Sequence, residues 1–169
     1  MTQLNNRFTL EEFEHSDTAI RDKIDNTIPA IYLPKAKIMA DYLVKVETVL
    51  GIKISLNSVW RCDKLNIVIG GAHTFVNGVR VETSQHTKME AGDTEADKYG
   101  VDEYYMKVKE AVENKLLEVD QCISEFSISS LGHVSRWVHL SYVEDRKNRN
   151  QFLYGKRTNK GTVYSDKPF

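Results

Sequence analysis

Apolar residues recur at intervals of three and four positions over two long stretches of the chain, which predicts two amphipathic helices. The first stretch covers residues 30–50 and is followed by Gly51, a residue type that favours the left-handed conformation at a helix end. The second covers residues 102–119, and one side of it carries Tyr105, Val108, Val112, Leu116 and Val119.

Two shorter segments also have helical signals. In "FTLEEFEHS", Thr9 and Glu12 have the spacing of a capping box, which predicts a short helix from about residue 10. The segment "DKLNIVIGG" predicts another short helix, ended by Gly70 and Gly71. The intervening "RDKIDNTIP" is expected to form a loop.

Alternating apolar and polar residues predict several strands. "IKISLNS" places Ile52 and Ile54 on one face, and "TFVNGVRVET" predicts a hairpin with a type I′ turn at Asn77-Gly78. "CISEFSI" and "SRWVHLSYV" predict two further strands joined by "SSLGH". The pattern as a whole predicts an α+β fold, with helices packed on a small, mostly antiparallel sheet.

Composition narrows the possible functions. The 169 residues fit one domain, and the net charge of −1 excludes the basic surface of a nucleic-acid-binding protein. No apolar run approaches the ~20 residues of a membrane span. The N-terminus lacks a signal-peptide pattern, which favours synthesis in the cytoplasm. Cys62 and Cys122 are isolated and are expected to be reduced thiols. The pattern does not indicate an oligomeric state.

The segment "SQHTKMEAGD" (84–93) is too polar for a core and contains His86 and Asp93. A third candidate, His139, lies on one face of a predicted strand with Trp137 and Ser141. Two imidazoles and one carboxylate leave a fourth position for water, as in a catalytic zinc site. Taken singly, each residue is more typical of a surface or of a hydrogen-bonded structural histidine, and the spacing alone is not diagnostic.

The same segments resemble a known family. "SQHTKMEAGD" resembles the SxHxxGxAxD motif of the D-Ala-D-Ala carboxypeptidase family of zinc peptidases, whose clan includes lysostaphin-type enzymes and the hedgehog domain. "WVHLSY" resembles the family's W-V-H-V-S strand. "FTLEEFEHSDTA", "IDNTIP", "NSVWRCDKLNIVIGGA" and "RKNRN" resemble segments of its phage-type branch. The resemblance covers most of residues 8–150, which implies a single zinc peptidase domain at 1–150 and a C-terminal extension of unknown role at 151–169.

The resemblance implies a set of site residues. His86, Asp93 and His139 would hold a zinc ion, and Arg61 would bind the substrate carboxylate or the developing oxyanion. Ser84 and Gln85 would orient the site. Asn66 and Gly70-Gly71 would be structural.

The general base is implied less directly. Many clan members carry it three residues before the last histidine, where this chain has Arg136. The phage-type branch instead carries a glutamate on the preceding strand, which corresponds to Glu125, and pairing of the two strands would bring Glu125 beside His139. His133 is the alternative base, while Glu144 is too far along the last strand.

Three positions depart from the family pattern. Met89 replaces a glycine, and a methionine adopts a positive φ only at a cost of ~1 kcal/mol or more. Either the local loop differs from the family's, or the glycine is not needed there for its dihedral angles. Gly92 replaces an alanine beside Asp93. An insertion between Gly71 and Ser84, residues 75–83, contains the Asn77-Gly78 hairpin, which is expected to lie at the rim of the cleft and to shape substrate access.

The resemblance implies a zinc-dependent peptidase acting on peptidoglycan stem peptides, as an endolysin-like endopeptidase or a D,D-carboxypeptidase. Such an enzyme would act at the bacterial cell wall, after release or as part of a virion. The alternative is a non-catalytic, zinc-stabilised binding or virion structural module of the same fold. A carboxylate at Glu125 favours the enzyme, because a purely structural zinc site has no use for a base.

Overall fold

A six-stranded sheet with the two longest helices on one face organises the chain. The computed structural model describes residues 1–158 and 161–169. The helices are α1 (Leu10–Glu14), α2 (Asp17–Arg21), α3 (Leu33–Leu50), α4 (Asp63–Val68) and α5 (Val101–Glu113). The strands are β1 (Ile54–Ser58), β2 (His73–Val76), β3 (Val79–Glu82), β4 (Ala91–Ala96), β5 (Gln121–Ile128), β6 (Val134–Ser141), β7 (Gln151–Thr158) and β8 (Gly161–Ser165). Short 3₁₀ helices cover Ala30–Tyr32 and Gln85–Lys88.

The strand order of the large sheet is β1-β4-β6-β5-β7-β8, and β2 and β3 form a separate hairpin. All neighbouring strands are antiparallel except β5 and β7, which are parallel. The prediction of an α+β fold with a mostly antiparallel sheet is therefore confirmed. None of the helices among the described residues is both long and apolar enough to cross a membrane.

The core lies between the sheet and helices α3 and α5. Leu43 of α3 and Tyr104 of α5 belong to the same buried cluster as Val138 and Leu140 of β6. Because side chains alternate along a strand, Trp137 and His139 point to the opposite face of the sheet. That second face carries the candidate site.

Most of the predicted element ends are observed. Thr9 and Glu12 form the expected capping box at the start of α1. Gly51 ends α3 with φ of 64°, and Asn77 and Gly78 form the turn of the β2–β3 hairpin with φ of 50° and 78°. Ile31, however, is 81% exposed, because residues 30–32 form a separate 3₁₀ turn.

Helix α5 is shorter than the apolar pattern predicts. It ends at Glu113, and Leu116, predicted to lie on the buried side, is 56% exposed. Lys115 takes φ of 60°, while the N–H groups of Lys115 and Leu116 bond to the carbonyls of Val112 (3.0 Å) and Ala111 (2.9 Å). These two bonds form a Schellman motif, which the sequence does not announce because no glycine occupies the left-handed position.

Helix α2 was not predicted. It is a single short turn whose first residues are capped by Ser16, since the Ser16 hydroxyl accepts a bond from the N–H of Ala19 at 3.2 Å. Five residues are too few to show a helical apolar period.

A connection over residues 142–150 carries the chain across β5, so that β7 pairs in parallel on its far side. Asp120, which is fully buried, fastens this connection by accepting hydrogen bonds from Arg146 and Arg149. The charged, Asn-rich segment after β6 is thus held against the sheet. Strands β7 and β8, which follow this segment, add two further strands to the sheet.

Candidate metal centre

Three buried side chains converge on the face of the sheet away from the helices. Asp93 of β4 and His139 of β6 lie directly opposite each other in the antiparallel pair. His86 approaches from the Gln85–Lys88 3₁₀ helix, which runs into β4. The distances are 3.2 Å from His86 Nε2 to His139 Nδ1, 3.1 Å from His139 Nδ1 to Asp93 Oδ1, and 3.2 Å from His86 Nε2 to Asp93 Oδ1.

These three residues can hold a metal ion. Ligand atoms bound ~2.0–2.2 Å from a tetrahedral zinc ion lie about 3.3 Å apart, close to the observed triangle. Both histidines also have an acceptor for their other ring nitrogen. His86 Nδ1 lies 2.8 Å from the carbonyl oxygen of Val59, and His139 Nε2 lies 3.2 Å from Oε1 of Gln85. Such partners leave the remaining nitrogen of each ring free for a metal.

The protonation states also suit metal binding. Burial and the nearby charge of Arg61 lower the pKa of His86 to about 4, so the ring is neutral at neutral pH. Burial alone would raise the pKa of Asp93, but its close neighbours His86, Arg61 and His139 hold that pKa well below its usual range. Neutral imidazoles and an ionised carboxylate are the forms that bind divalent cations.

Gln85 links the cluster to the rest of the fold. While its Oε1 faces His139, its Nε2 donates to Asp120 at 2.8 Å. Asp120 is the same buried carboxylate that fastens the crossover. Ser84, also expected to orient the site, is buried and acts through its carbonyl, which accepts the Thr87 hydroxyl at 2.8 Å.

Arg61 lies within the cleft and not on the surface. Its Nη2 donates to Oδ2 of Asp93, and its Nε donates to the Ser58 hydroxyl at 2.9 Å. Only 9% of the side chain is exposed. Arg61 therefore holds the carboxylate of Asp93 in place, and it lines the same cleft.

Glu125 of β5 lines this cleft too. It pairs with Trp137, and Ile123 pairs with His139, so Glu125 is the diagonal neighbour of His139, two residue pairs along the same face. Burial and the charge of Asp93 raise the pKa of Glu125 to about 6. The expected pairing of the two strands is thus observed, and it brings the candidate base to the candidate ligands.

The other residues considered as a base lie elsewhere. Arg136 is on the helix face of β6, where it forms an ion pair with Asp102 of α5. His133 is exposed in the turn before β6, and six residues of strand separate it from His139 by about 20 Å. Neither side chain lines the cleft.

The sequence did not predict that the last two strands contribute to the cleft, where they place Arg157 of β7 and Thr162 and Tyr164 of β8. Burial and the charge of Glu125 raise the pKa of Tyr164 to about 12, so its phenol keeps its proton at neutral pH. No motif marks these residues, because only the parallel pairing of β7 with β5 brings them to the site.

A second groove lies near the start of β1 and is lined by Arg7, Glu47 and Lys53 among others. These three charged side chains pair with one another: Arg7 Nε lies 3.1 Å and Lys53 Nζ 3.6 Å from the Glu47 carboxylate. The cleft with His86, Asp93 and His139 is therefore the better candidate for a reactive site.

A buried His–Asp–His cluster that opens into a cleft with a further carboxylate is the arrangement of a metal-dependent hydrolase. The model of the Peptidase M15 family matches residues 6–141, which is most of the chain. The chain belongs to this family, and the resemblance seen in its motifs is confirmed. No match was found among curated proteins or among solved structures.

Proposed function

We propose that this protein is a zinc-dependent peptidase that hydrolyses peptide bonds in peptidoglycan stem peptides. The proposal rests chiefly on one observation: three ligand atoms lie 3.1–3.2 Å apart, and the buried carboxylate of Glu125 shares their cleft. Membership of the Peptidase M15 family supports the peptidase activity. The choice of stem peptides rests on the motif resemblance to D-Ala-D-Ala carboxypeptidases.

His86 Nε2, Asp93 Oδ1 and His139 Nδ1 would hold the zinc ion. When bound, zinc supplies a Lewis acid that polarises the scissile carbonyl and makes water more acidic. Glu125 accepts a proton from the attacking water and passes it to the leaving amine. Its raised pKa, about 6, leaves it ionised at neutral pH yet close to the optimum for such a transfer.

Arg61 has two roles in this proposal. It keeps Asp93 ionised and oriented through the bond to Oδ2. Its remaining N–H groups stabilise the negative charge that develops on the carbonyl oxygen. Because Arg61 is buried and already paired with Asp93, we favour this role over binding of a substrate carboxylate.

The site of action is part of the same proposal. An endolysin-like endopeptidase would cut within cross-linked wall peptides, and a D,D-carboxypeptidase would remove a terminal residue. In either case the enzyme would act at the bacterial cell wall, after release from the cell or as part of a virion.

The test measures zinc content and cleavage of defined stem peptides side by side. The proteins are the wild type, Glu125→Ala and the control Glu113→Ala, which removes an exposed carboxylate at the end of α5. We expect one zinc per chain in all three. Cleavage should fall about 10²-fold to 10⁴-fold in Glu125→Ala alone, the usual contribution of a general base.

Two outcomes would contradict the proposal. Zinc in every protein without cleavage of any stem peptide by the wild type would favour a non-catalytic, zinc-stabilised module. Cleavage that survives in Glu125→Ala would retain the peptidase and remove Glu125 as its base.

A further inference from the structure

Strands β7 and β8, called here the C-terminal strand pair, form one wall of the cleft although they lie beyond the family match. The match ends at residue 141, whereas β7 begins at Gln151. β7 is hydrogen-bonded in parallel to β5, the strand of Glu125. Arg157, Thr162 and Tyr164 of this pair line the cleft together with the three candidate ligands. The family pattern therefore does not account for this wall.

The C-terminal strand pair is shaped around Glu125. Gly155 of β7 is the partner of Glu125 in β5, and Tyr164 of β8 is the partner of Gly155. A Cβ atom at Gly155 would lie 2.8 Å from Cγ of Glu125. The missing side chain thus leaves space for Glu125. The C-terminal strand pair is therefore part of the site.

Arg157 is the one arginine of the described chain without a carboxylate partner. Each of the other seven forms an ion pair: Arg7 with Glu47, Arg21 with Asp22, Arg61 with Asp93, Arg80 with Glu82, Arg136 with Asp102, and Arg146 and Arg149 with Asp120. Arg157 is half-buried, and its Nη2 donates to the backbone carbonyl of Ile69. That bond anchors one edge of the guanidinium and leaves other N–H groups for a ligand.

The charges of the cleft favour an anion at this position. Two cations, Arg61 and Arg157, face two carboxylates, Asp93 and Glu125. Because Arg61 is paired with Asp93, a divalent cation bound by the cluster would make the whole cleft positive. An arginine held at one edge in such a cleft suits the planar, two-oxygen geometry of a carboxylate.

We propose that Arg157 and the C-terminal strand pair form a subsite that binds a carboxylate of the peptide substrate. The inference rests on the proposed peptidase function and assigns to Arg157 the substrate anion that Arg61 is too engaged to bind. Arg157 is a specificity-determining residue in this arrangement, while Glu125 and the metal ligands perform the chemistry. The carboxylate is either the free C-terminus of the peptide or an acidic side chain.

The test measures peptide binding to the zinc-loaded full chain by calorimetry. All proteins carry Glu125→Gln, so that bound peptides are not consumed. The first pair of peptides differs only in a C-terminal carboxylate or amide, and the second only in an acidic side chain or its amide. We expect one of the carboxylate peptides to bind about 10-fold to 100-fold more tightly than its amide, the usual effect of a charge-assisted hydrogen bond. The pair that shows the difference identifies the carboxylate.

Variants test whether Arg157 causes the preference for the carboxylate. Arg157→Gln should abolish the preference for the carboxylate, and Arg157→Lys should retain part of it because the charge remains. Lys156→Gln is the matched control, since Lys156 is exposed and points to the other face of β7. Its preference should equal that of the parent protein. Unfolding temperatures show whether loss of the bond to Ile69 disturbs the fold. If Arg157→Gln unfolds, the carboxylate preference of Arg157→Lys, compared with that of the parent protein, tests the subsite instead.

Parallel cleavage assays on proteins with Glu125 intact separate the two proposals. Cleavage without any preference between carboxylate and amide would overturn the subsite and leave the peptidase. A preference without cleavage would retain the subsite and overturn the peptidase. The absence of both would overturn both.

Discussion

Asp93 and Glu125 are buried carboxylates in one cleft, yet their pKa values move in opposite directions. Asp93 has His86, His139 and Arg61 as immediate partners, which outweigh the effect of burial and keep it ionised. Burial and the negative charge of Asp93 disfavour the ionised form of Glu125, so its pKa rises to about 6. Two carboxylates whose pKa values differ in this way are suited to different roles, one to metal binding and the other to proton transfer.

The raised pKa of Glu125 predicts a pH-dependent cost in stability for the metal-free protein. The unfolded chain loses this proton near its ordinary pKa of 4.5, before the folded chain does at about 6. Stability therefore falls as the pH rises through this window, by about 2 kcal/mol in total. Glu125→Gln should be about 2 kcal/mol more stable than the wild type at pH 7, as measured by urea unfolding in the presence of a chelator.

The pH series contains its own control. Below pH 4 both states of the wild type carry the proton, so the stabilities of the two proteins should converge. A constant difference between pH 3 and pH 7 would show that the substitution acts through packing, and would contradict the assigned pKa.

Met89 shows what the motif could and could not reveal at a single position. The methionine suggested that the local loop differs from the family's or that the family glycine is not needed for its dihedral angles. Met89 nevertheless has φ of 58°, so this position does take the left-handed conformation. The side chain is only 2% exposed and belongs to the core cluster. Its burial offsets a left-handed cost of ~1–2 kcal/mol, and this compensation is a tertiary effect that no local pattern contains.

At the scale of elements, local chemistry explains which predictions succeeded. The capping box at Thr9 and Glu12 and the left-handed Gly51 act within a few residues, and both were predicted. The end of α5 was not, because Lys115 takes the left-handed conformation without being a glycine. Beyond it, Leu117 and Val119 are buried outside any helix, so they extended the apolar period misleadingly.

Two glycines in strands beside the site form a matched pair of tests. At Gly155 a Cβ would lie 2.8 Å from Cγ and 3.3 Å from Cδ of Glu125, so Gly155→Ala must move the candidate base. At Gly92 a Cβ would meet only ordinary contacts, at 3.6 Å to Met39 and Thr94 and 3.7 Å to Val59. Gly155→Ala should lower kcat at least ~10-fold with zinc retained, since misplaced catalytic groups are costly. Gly92→Ala should keep kcat and stabilise the fold by up to about 1 kcal/mol.

Kinetics, metal analysis and thermal unfolding of both variants check this prediction. Equal losses of kcat in the two variants would mean that an added methyl group on either face of the sheet near the site disturbs the cleft. The special relation between β7 and Glu125 would then be wrong.

At the scale of the whole molecule, the sequence identified the three candidate ligands but not the complete cleft. His86, Asp93 and His139 were identified through motifs that follow one another in order, and antiparallel pairing then brought them together. The wall formed by Arg157 and Tyr164 depends on a parallel pairing across a nine-residue connection, residues 142–150. Such long-range pairings are fixed by tertiary contacts, here those of Asp120 with Arg146 and Arg149, and they leave no periodic signal.

The residues that flank the β2–β3 hairpin form part of the cleft rim. Gly71 and Ala72 before it and Thr83 and Ser84 after it line the cleft. Its tip exposes apolar side chains: Phe75 by 63%, Val76 by 53% and Val79 by 65%. An apolar tip beside a polar cleft is suited to contact substrate beyond the scissile bond.

Shortening this hairpin should change substrate preference without loss of the metal. Deleting Phe75-Val76 together with Val79-Arg80 removes two rungs and keeps the Asn77-Gly78 turn. It also keeps the alternation of faces, because two residues leave each strand. Glu82, whose carboxylate accepts a hydrogen bond from buried Asn66, stays in place. We expect one zinc per chain, nearly unchanged kcat/KM for a short stem peptide, and a several-fold lower kcat/KM for a longer cross-linked one.

A second variant separates the length of the hairpin from its apolar surface. Val76→Thr combined with Val79→Thr keeps every rung and removes much of the exposed apolar area. If this variant loses the preference for long peptides as the shortened hairpin does, the apolar side chains of the tip make the contact with substrate. If it retains the preference, the length of the hairpin is what determines it. Loss of zinc from the shortened protein would instead assign the hairpin to the support of the metal centre, because its last residues lead directly into Ser84 and His86.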